Sequence, residues 1–233
     1  MGSSDRVSGA VTTILDAIIS GRFTTEQPLP PENDLAAFLE VSRPTMREAV
    51  RTLSSQGVLQ VRHGSGTYVR PMSQWRDITV IVYVMTRTQS PRTLGVKLIE
   101  VRRMIEVGAS GLAAAHRSDA DLDELKSLLV AFDEASERDD VDALAAADLA
   151  IHDAILSAAG NPFLPAIMHS LKDALTESRR HTSADRRIRE HGHHFHRELV
   201  EAIEDRDVER AKDVMRAHMT QTRRDIMEWL SEK

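Results

Sequence analysis

Residues 29–69 read LPPENDLAAFLEVSRPTMREAVRTLSSQGVLQVRHGSGTYV, and this order of residues predicts two short helices followed by a β-hairpin. Apolar residues at helical spacing between positions 33 and 39 predict the first helix, and the next two residues leave room only for a tight turn. Ser42 is a favourable N-cap for the second helix, and Gln56-Gly57 is a typical helix end. The sequence therefore predicts a winged helix-turn-helix, in which the hairpin forms the wing.

The second of these helices has an apolar side and a basic side. The buried side is predicted from apolar residues that recur at the spacing of one helix face, which are Met46, Ala49, Val50 and Leu53. The opposite side carries Arg43, Thr45, Arg47 and Arg51. Residues 58–61 and 67–69 alternate like two short strands, and Gly64-Ser65-Gly66 provides the turn between them.

This region resembles the DNA-binding domain of the GntR family of bacterial transcription regulators. The matching segments are Leu29-Pro30, Val41-Ser42-Arg43, Arg47-Glu48-Ala49, Gln56-Gly57 and Gly64-Ser65-Gly66-Thr67. The chain departs from the family at one position, because Asn33 stands where the family usually carries an arginine after the Pro-x-Glu of the first helix. The contact that this arginine makes in the family is therefore not carried over.

The resemblance implies which residues contact DNA. In that family the second helix enters the major groove and the wing tip reaches the minor groove. The implied contacts are Ser42, Arg43, Thr45 and Arg47 on the helix, with His63 and Gly64 at the wing. The alternative is that Arg43 and Arg47 are ordinary solvated helix residues.

Length, composition and charge limit the class of protein. The chain has 233 residues, of which 41% are apolar, and these values predict two packed domains. It contains no cysteine, no secretory leader and no apolar run near the roughly 18 residues that a membrane helix needs, so we expect a soluble, cytoplasmic protein. The net charge is −6, with the acidic excess in the second half of the chain. The arginines of the first half can still form a local DNA-binding face, because charges act over about a Debye length.

We predict a mainly α protein with a DNA-binding domain over residues 1–70, a linker over 71–74 and an all-helical domain over 75–233. An amphipathic helix over 6–21 opens the first domain. The helices predicted after the wing cover 74–86, 93–116, 121–138, 141–159, 162–175, 186–204 and 208–230. They predict an antiparallel bundle of six or seven helices. In the 93–116 helix, the stripe expected to be buried is Leu94, Leu98, Val101, Ile105 and Leu112.

Four side chains that can bind metals are predicted to point into this bundle. Asp148 and His152 are four positions apart, so they share the apolar face of their helix, and His196 and His218 lie among the apolar residues of two later helices. A buried lone carboxylate costs several kcal/mol unless positive charge joins it, so this set predicts a divalent metal ion. The alternative is that the histidines are hydrogen-bonded core residues and that Asp148 and His152 form an ion pair. Three further histidines lie off the apolar face and are not expected to be ligands: His191, His193 and His194.

The helical half resembles the FCD domain, the ligand-binding domain of FadR-type GntR regulators. The resemblance covers residues 75–230 and is carried by Glu100-Val101-Arg102 and by the segments 148–152, 160–162, 196–203 and 215–218. Metal-containing members use an Asp-x-x-x-His pair plus two histidines, which implies Asp148, His152, His196 and His218 as the ligands. Imidazoles with one carboxylate suit zinc first, with nickel, iron(II) or manganese as alternatives.

Arg102 is the candidate anchor for an effector. It flanks the apolar stripe of its helix, and its guanidinium could bind a carboxylate through two nitrogens, whereas Arg103 points further toward solvent. The alternative is a salt bridge between Arg102 and Glu106, four residues along the helix.

These features predict a metabolite-responsive transcription regulator, most often a repressor in this family. It would bind a pseudo-palindromic DNA operator as a homodimer and respond to a small carboxylate effector such as a sugar acid or hydroxy acid. The alternative is a metalloregulator, in which the metal itself is the signal. A metal-dependent enzyme is the least expected class, because no general base accompanies the metal ligands.

Overall fold

A computed structural model describes residues 3–232 of the chain, which are mainly α-helical with one small β-hairpin. The chain divides into two compact units, with the first ending at Thr88 and the second beginning at Gln89. None of the helices among the described residues is long and apolar enough to cross a lipid bilayer.

The first unit is a winged helix-turn-helix. Its elements are α1 (Ser3–Ile19), α2 (Glu32–Phe38), α3 (Arg43–Ser55), β1 (Leu59–Arg62), β2 (Gly66–Val69) and α4 (Ile78–Thr88). The two strands are antiparallel, with Leu59 opposite Val69 and Arg62 opposite Gly66. The fold class predicted from the sequence is therefore confirmed, and the element bounds agree to within a few residues.

Local sequence explains where α3 begins and which side it buries. The Ser42 side chain caps the helix by accepting a hydrogen bond from the backbone N–H of Thr45 at 3.3 Å. All four apolar residues of the predicted stripe are buried, namely Met46, Ala49, Val50 and Leu53. They pack in one core with residues from α1 and β1, including Ile14 and Leu59.

The boundary between the units lies further along the chain than the predicted linker at residues 71–74. Met72–Gln74 form a 3-10 turn, and the Trp75 indole next to it donates a 2.9 Å hydrogen bond to the carbonyl of Arg70. Gly57 has a φ of +81°, and a Cβ there would lie 2.9 Å from the carbonyl oxygen of Gln74. The segment thus packs closely on the first unit. Helix α4, which the sequence predicts as part of the second domain, contributes buried valines to the core of the first.

The second unit is a bundle of seven helices within the described residues, in agreement with the predicted six or seven. They are α5 (Pro91–His116), α6 (Asp119–Glu137), α7 (Val141–Ala158), α8 (Phe163–His169), α9 (Lys172–Ala184), α10 (Arg186–Glu204) and α11 (Val208–Trp229). The single helix predicted over 162–175 is instead divided between α8 and α9. Backbone hydrogen bonds of the i to i+3 type at Ser170 and Leu171 tighten the chain at this point and end α8.

The buried face of α5 differs from the predicted stripe. Leu94 and Leu98 are buried as expected, but Leu112 is 39% exposed. The inward face continues instead through Arg102, Glu106, Ala109 and Ala113, all of them buried. The apolar pattern indicated the wrong face because Arg102 and Glu106, which are charged, occupy two turns of the face that is buried.

Candidate functional site

The bundle brings three histidines from three different helices together. His152 on α7, His196 on α10 and His218 on α11 are all buried, and each offers a ring nitrogen within 4.8 Å of those of the other two. The Nε2 atoms of His152 and His196 are 3.4 Å apart. The histidines of the predicted metal site therefore share one centre.

Asp148 lies beside this centre and also contacts an arginine. Its Oδ1 atom is 3.4 Å from Nε2 of His196, and its Oδ2 atom is 4.0 Å from Nε2 of His152. The same Oδ2 accepts a hydrogen bond from Nε of Arg179 on α9. The carboxylate therefore faces the histidines with one oxygen and is neutralised by a buried guanidinium at the other.

A second charged pair lies behind His152. Glu106 is 1% exposed, and its Oε1 accepts a 2.8 Å hydrogen bond from Nε of Arg102. Its Oε2 is 2.6 Å from Nδ1 of His152. Arg102 also donates from Nη2 to Nε2 of His152 at 3.0 Å. The structure thus forms the Arg102–Glu106 salt bridge that the sequence left as an alternative.

Burial and neighbouring charges shift the pKa values of these groups. Burial raises the pKa of Glu106, but Arg102 and His152 outweigh it and hold that pKa well below its usual range. Burial likewise raises the pKa of Asp148, which Arg179 and the histidines hold well below its usual range. Burial lowers the pKa of His196 to about 3, and it lowers the pKa of His218 well below its ordinary value. The carboxylates are therefore ionised near neutral pH, and these two histidines are neutral.

The donor set fits a transition-metal ion. Neither ring nitrogen of His218 has a hydrogen-bond partner among the described residues, nor does Nδ1 of His196, although all three atoms are buried. Buried polar atoms without partners are costly, so these nitrogens are available to a ligand. Neutral imidazoles within a few ångströms of each other, with one carboxylate oxygen nearby, suit zinc and the related divalent ions.

A small cavity adjoins this centre. It has a volume of about 40 Å³ and is lined by Arg102, Asp148, Arg179 and His218. Hydroxyl groups of Ser178, Thr182 and Thr222 also line it. Two cationic and several hydroxyl groups therefore surround a space next to the histidines.

The three neighbouring histidines of α10 make other contacts. His191 lies 3.0 Å from Asp225, His193 pairs with Asp133, and His194 lies 3.5 Å from Glu198. They do not belong to the group of His152, His196 and His218.

The predicted DNA-contacting residues lie at the start of α3. Arg43 and Arg47 are exposed there, whereas Thr45 is half-buried and its hydroxyl is 2.8 Å from that of Ser42. Nε of Arg47 is 3.5 Å from a carboxylate oxygen of Glu32 on α2. An exposed pair of this kind contributes little stability, so Arg47 can exchange Glu32 for a phosphate at small cost.

The wing presents the other predicted contacts. His63 and Gly64 lie in the turn between β1 and β2, and Gly64 has a φ of +74°, a conformation that favours glycine. The guanidinium of Arg62 at the base of the turn stacks on the Tyr68 ring at 4.3 Å. This contact orders a further cation on the wing.

Sequence reasoning missed Glu106 and Arg179 as parts of the histidine site. Glu106 lies four positions after Arg102, the candidate effector anchor, and Arg179 lies four positions after Leu175, an expected core residue. This helical spacing was the available signal. Arg62 on the wing was also missed, and its nearness to His63 was the signal there.

Comparison with known proteins gives the same two-part division. Residues 7–69 match the gntR family of bacterial regulatory proteins, and residues 97–221 match the FCD domain. The chain is 30% identical to the HTH-type transcriptional regulator LutR of Bacillus subtilis, over 71% of this chain and 73% of LutR. It is 28% identical to the galactonate operon transcriptional repressor of Escherichia coli, over 70% of each chain. A solved structure, Streptococcus agalactiae GntR, is 26% identical with a TM-score of 0.54, covering 94% of this chain and 99% of that one.

Proposed function

The chain belongs to the GntR family of bacterial regulatory proteins with an FCD domain, and from this premise we propose that it is a metabolite-responsive repressor that binds a pseudo-palindromic operator as a homodimer. The family and the relatives named above are transcription regulators and not enzymes. A dimer would place two winged units on two half-sites, whose spacing would follow from the distance between those units. We place this activity in the cytoplasm.

The observation that carries DNA binding is the exposed, capped start of α3. Arg43 and Arg47 are free of the core, so they can approach DNA without unfolding the unit. Ser42 and Thr45 would contact the backbone or bases beside them, and His63 and Gly64 would enter the minor groove with the wing.

The test uses Arg47→Ala, with Arg186→Ala as the matched control. Arg186 is likewise an exposed arginine, in the second unit, and forms an i,i+4 pair with Glu190. Arg47→Ala should weaken operator binding by about 1–3 kcal/mol in a fluorescence-anisotropy titration at fixed salt. Arg186→Ala should bind like the wild type. Unchanged operator affinity for Arg47→Ala would refute this contact.

We propose that the second unit holds a divalent ion, zinc in the first instance, between His152, His196 and His218 with Asp148 as the fourth ligand. The pairs Arg102–Glu106 and Arg179–Asp148 are internally neutral, and the histidines whose pKa values are lowered are uncharged. A bound divalent ion would therefore add two uncompensated positive charges to a buried site. An anionic ligand offsets that charge, which supports a small carboxylate as the effector.

Hydroxyl groups in the cavity wall suit an acid that carries hydroxyl groups of its own. The E. coli relative is named for a galactonate operon, and a sugar acid or hydroxy acid is the class that we propose here. The cavity beside the histidines is small, at about 40 Å³. We therefore propose that an acid displaces side chains on entry, and that Arg102 and Arg179 turn to bind its carboxylate.

Movement of Arg102 and Arg179 on acid binding would couple the cavity to DNA binding. If the acid favours a dimer arrangement that fits the operator less well, a coupling free energy of about 1–3 kcal/mol would suffice to vacate the promoter. Thermal-shift measurements with a panel of small organic acids, with and without zinc, should show stabilisation that needs both components. The stabilising acid should then release the operator, and an acid that stabilises equally well after chelation would contradict the shared site.

A metalloregulator is the second candidate, because Nη2 of Arg102 contacts the His152 nitrogen that faces the other histidines. Metal entry alone would displace this arginine. Release of the operator by adding or removing zinc, without any acid, would favour this function over the first.

A further inference from the structure

Glu106 is a carboxylate that is buried in the second unit and fixed from both sides. On one side Arg102 donates to it from Nε at 2.8 Å and approaches it with Nη2 at 3.4 Å. On the other side its Oε2 is 2.6 Å from Nδ1 of His152. The ionised side chain therefore connects an arginine of its own helix to a candidate metal ligand on another.

The contacts of His152 indicate which of its nitrogens carries the proton. A guanidinium can only donate hydrogen bonds, so Nε2, which lies 3.0 Å from Nη2 of Arg102, must present its lone pair. The proton of the neutral ring is then on Nδ1, the nitrogen next to Glu106. The Nδ1 contact is within hydrogen-bond distance, but its angle falls short of a hydrogen bond.

The other two histidines have no carboxylate beside them in this way. Nδ1 of His196 and both nitrogens of His218 lack hydrogen-bond partners among the described residues. Only His152 of the three has a carboxylate beside the nitrogen that points away from the centre.

We infer that Glu106 is a positioning residue, which holds His152 in the tautomer whose Nε2 lone pair faces the metal. This inference rests on the proposed metal site. A carboxylate behind a ligating histidine fixes the ring and makes it a stronger donor, and loss of such a partner typically weakens metal binding by about 10–100-fold. Arg102 holds Glu106 through Nε, whereas its Nη2 would have to leave Nε2 of His152 when a metal binds.

The test compares Glu106→Gln with Glu100→Gln, which changes an exposed carboxylate of the same helix. Zinc affinity is measured by competition with a chromophoric chelator, and the His152 tautomer is read from ¹⁵N chemical shifts of the metal-free protein. Glu106→Gln should bind zinc about 10–100-fold more weakly. Its His152 ring should also populate the Nδ1–H tautomer less fully, because only the Arg102 contact at Nε2 then favours that tautomer. Glu100→Gln should match the wild type in both measurements.

A second variant covers the case in which Glu106→Gln does not fold. Should Glu106→Gln fail to fold because Arg102 is left without a counter-charge, the double variant Arg102→Met, Glu106→Gln removes both charges and should show the same loss of zinc affinity. Wild-type zinc affinity together with an unchanged tautomer in either folded variant would overturn the inference. If the wild type itself binds no zinc, the proposed metal site fails, and the tautomer comparison still decides the role of Glu106.

Discussion

The two units use their charged residues in opposite ways. In the winged unit the Arg47 side chain is 64% exposed and its partner Glu32 is 43% exposed. In the helical unit the Arg179 side chain is 5% exposed and the Glu106 side chain 1%. Solvated charges can exchange one partner for another at little cost, whereas buried charges depend on the partners that the fold supplies. We therefore expect substitutions in the first unit to change DNA binding and substitutions in the second to change stability.

The largest effect should come from Arg179→Met. This variant leaves the carboxylate of Asp148 buried without its guanidinium, and the free energy of unfolding should fall by about 3–5 kcal/mol in urea titrations with a chelator present. The double variant Arg179→Met, Asp148→Leu should recover most of the loss, because no charge is then left unpaired. Zinc should also restore part of the stability of the single variant. A loss below about 1 kcal/mol would contradict the contrast between buried and exposed charges.

As the pH falls, the helical unit should lose stability at a higher pH than the winged unit does. Burial lowers the pKa of His196 to about 3 and that of His218 well below its ordinary value, whereas an unfolded histidine has a pKa of about 6.5. Below about pH 6.5 the unfolded chain thus binds more protons, and the free energy of unfolding falls by up to about 1.4 kcal/mol per pH unit for each histidine. Below about pH 4 the low pKa values of Glu106 and Asp148 add to this loss.

The two tryptophans of the chain can report on the units separately, since Trp75 lies in the first and Trp229 in the second. Urea titrations of metal-free Trp75→Phe should show a large loss of stability between about pH 7 and about pH 5. Trp229→Phe, which retains Trp75, should show a smaller one. Because His191 stacks on Trp229, the unfolding curve at each pH is normalised to its own folded and unfolded baselines. Equal losses of stability reported by Trp75 and by Trp229 would contradict this prediction.

Gly57→Ala should destabilise the winged unit by about 1–2 kcal/mol. Its φ of +81° is unfavourable for alanine, and the new Cβ would lie 2.9 Å from the carbonyl oxygen of Gln74. The unfolding transition reported by Trp75 should shift to lower urea concentration. The Trp229 transition should stay in place, and a matching shift there would indicate that the two units unfold together.

The smallest effect on stability should come from Glu32→Gln. The pair with Arg47 is exposed and its atoms are 3.5 Å apart, so unfolding should change by less than about 1 kcal/mol. Operator affinity should nevertheless increase, because Arg47 no longer has a competing carboxylate next to it. Weaker operator binding by this variant would show that the pair orients Arg47 for DNA and does not compete with it.

The sequence was sufficient for the helix-turn-helix and its wing because their structure depends on short-range signals. The Ser42 cap, the apolar stripe of α3 and the glycines of the wing act within a few residues, and each was predicted from its own neighbourhood. It also indicated that His152, His196 and His218 face inward, since each lies on an apolar stripe.

Only the tertiary structure determines which charged side chains lie next to those histidines. Arg179 is 31 residues from Asp148 in sequence, and Arg102 is 50 residues from His152. Periodicity identifies a buried face from its apolar residues, and it therefore misplaced the inward face of α5, where Arg102 and Glu106 take apolar positions. A charged side chain can be buried only when an opposite charge is supplied. For Asp148 that charge comes from Arg179 on another helix, and no local pattern records such a partner. The same reason placed α4 with the first unit, because its valines complete a core formed by residues far earlier in the chain.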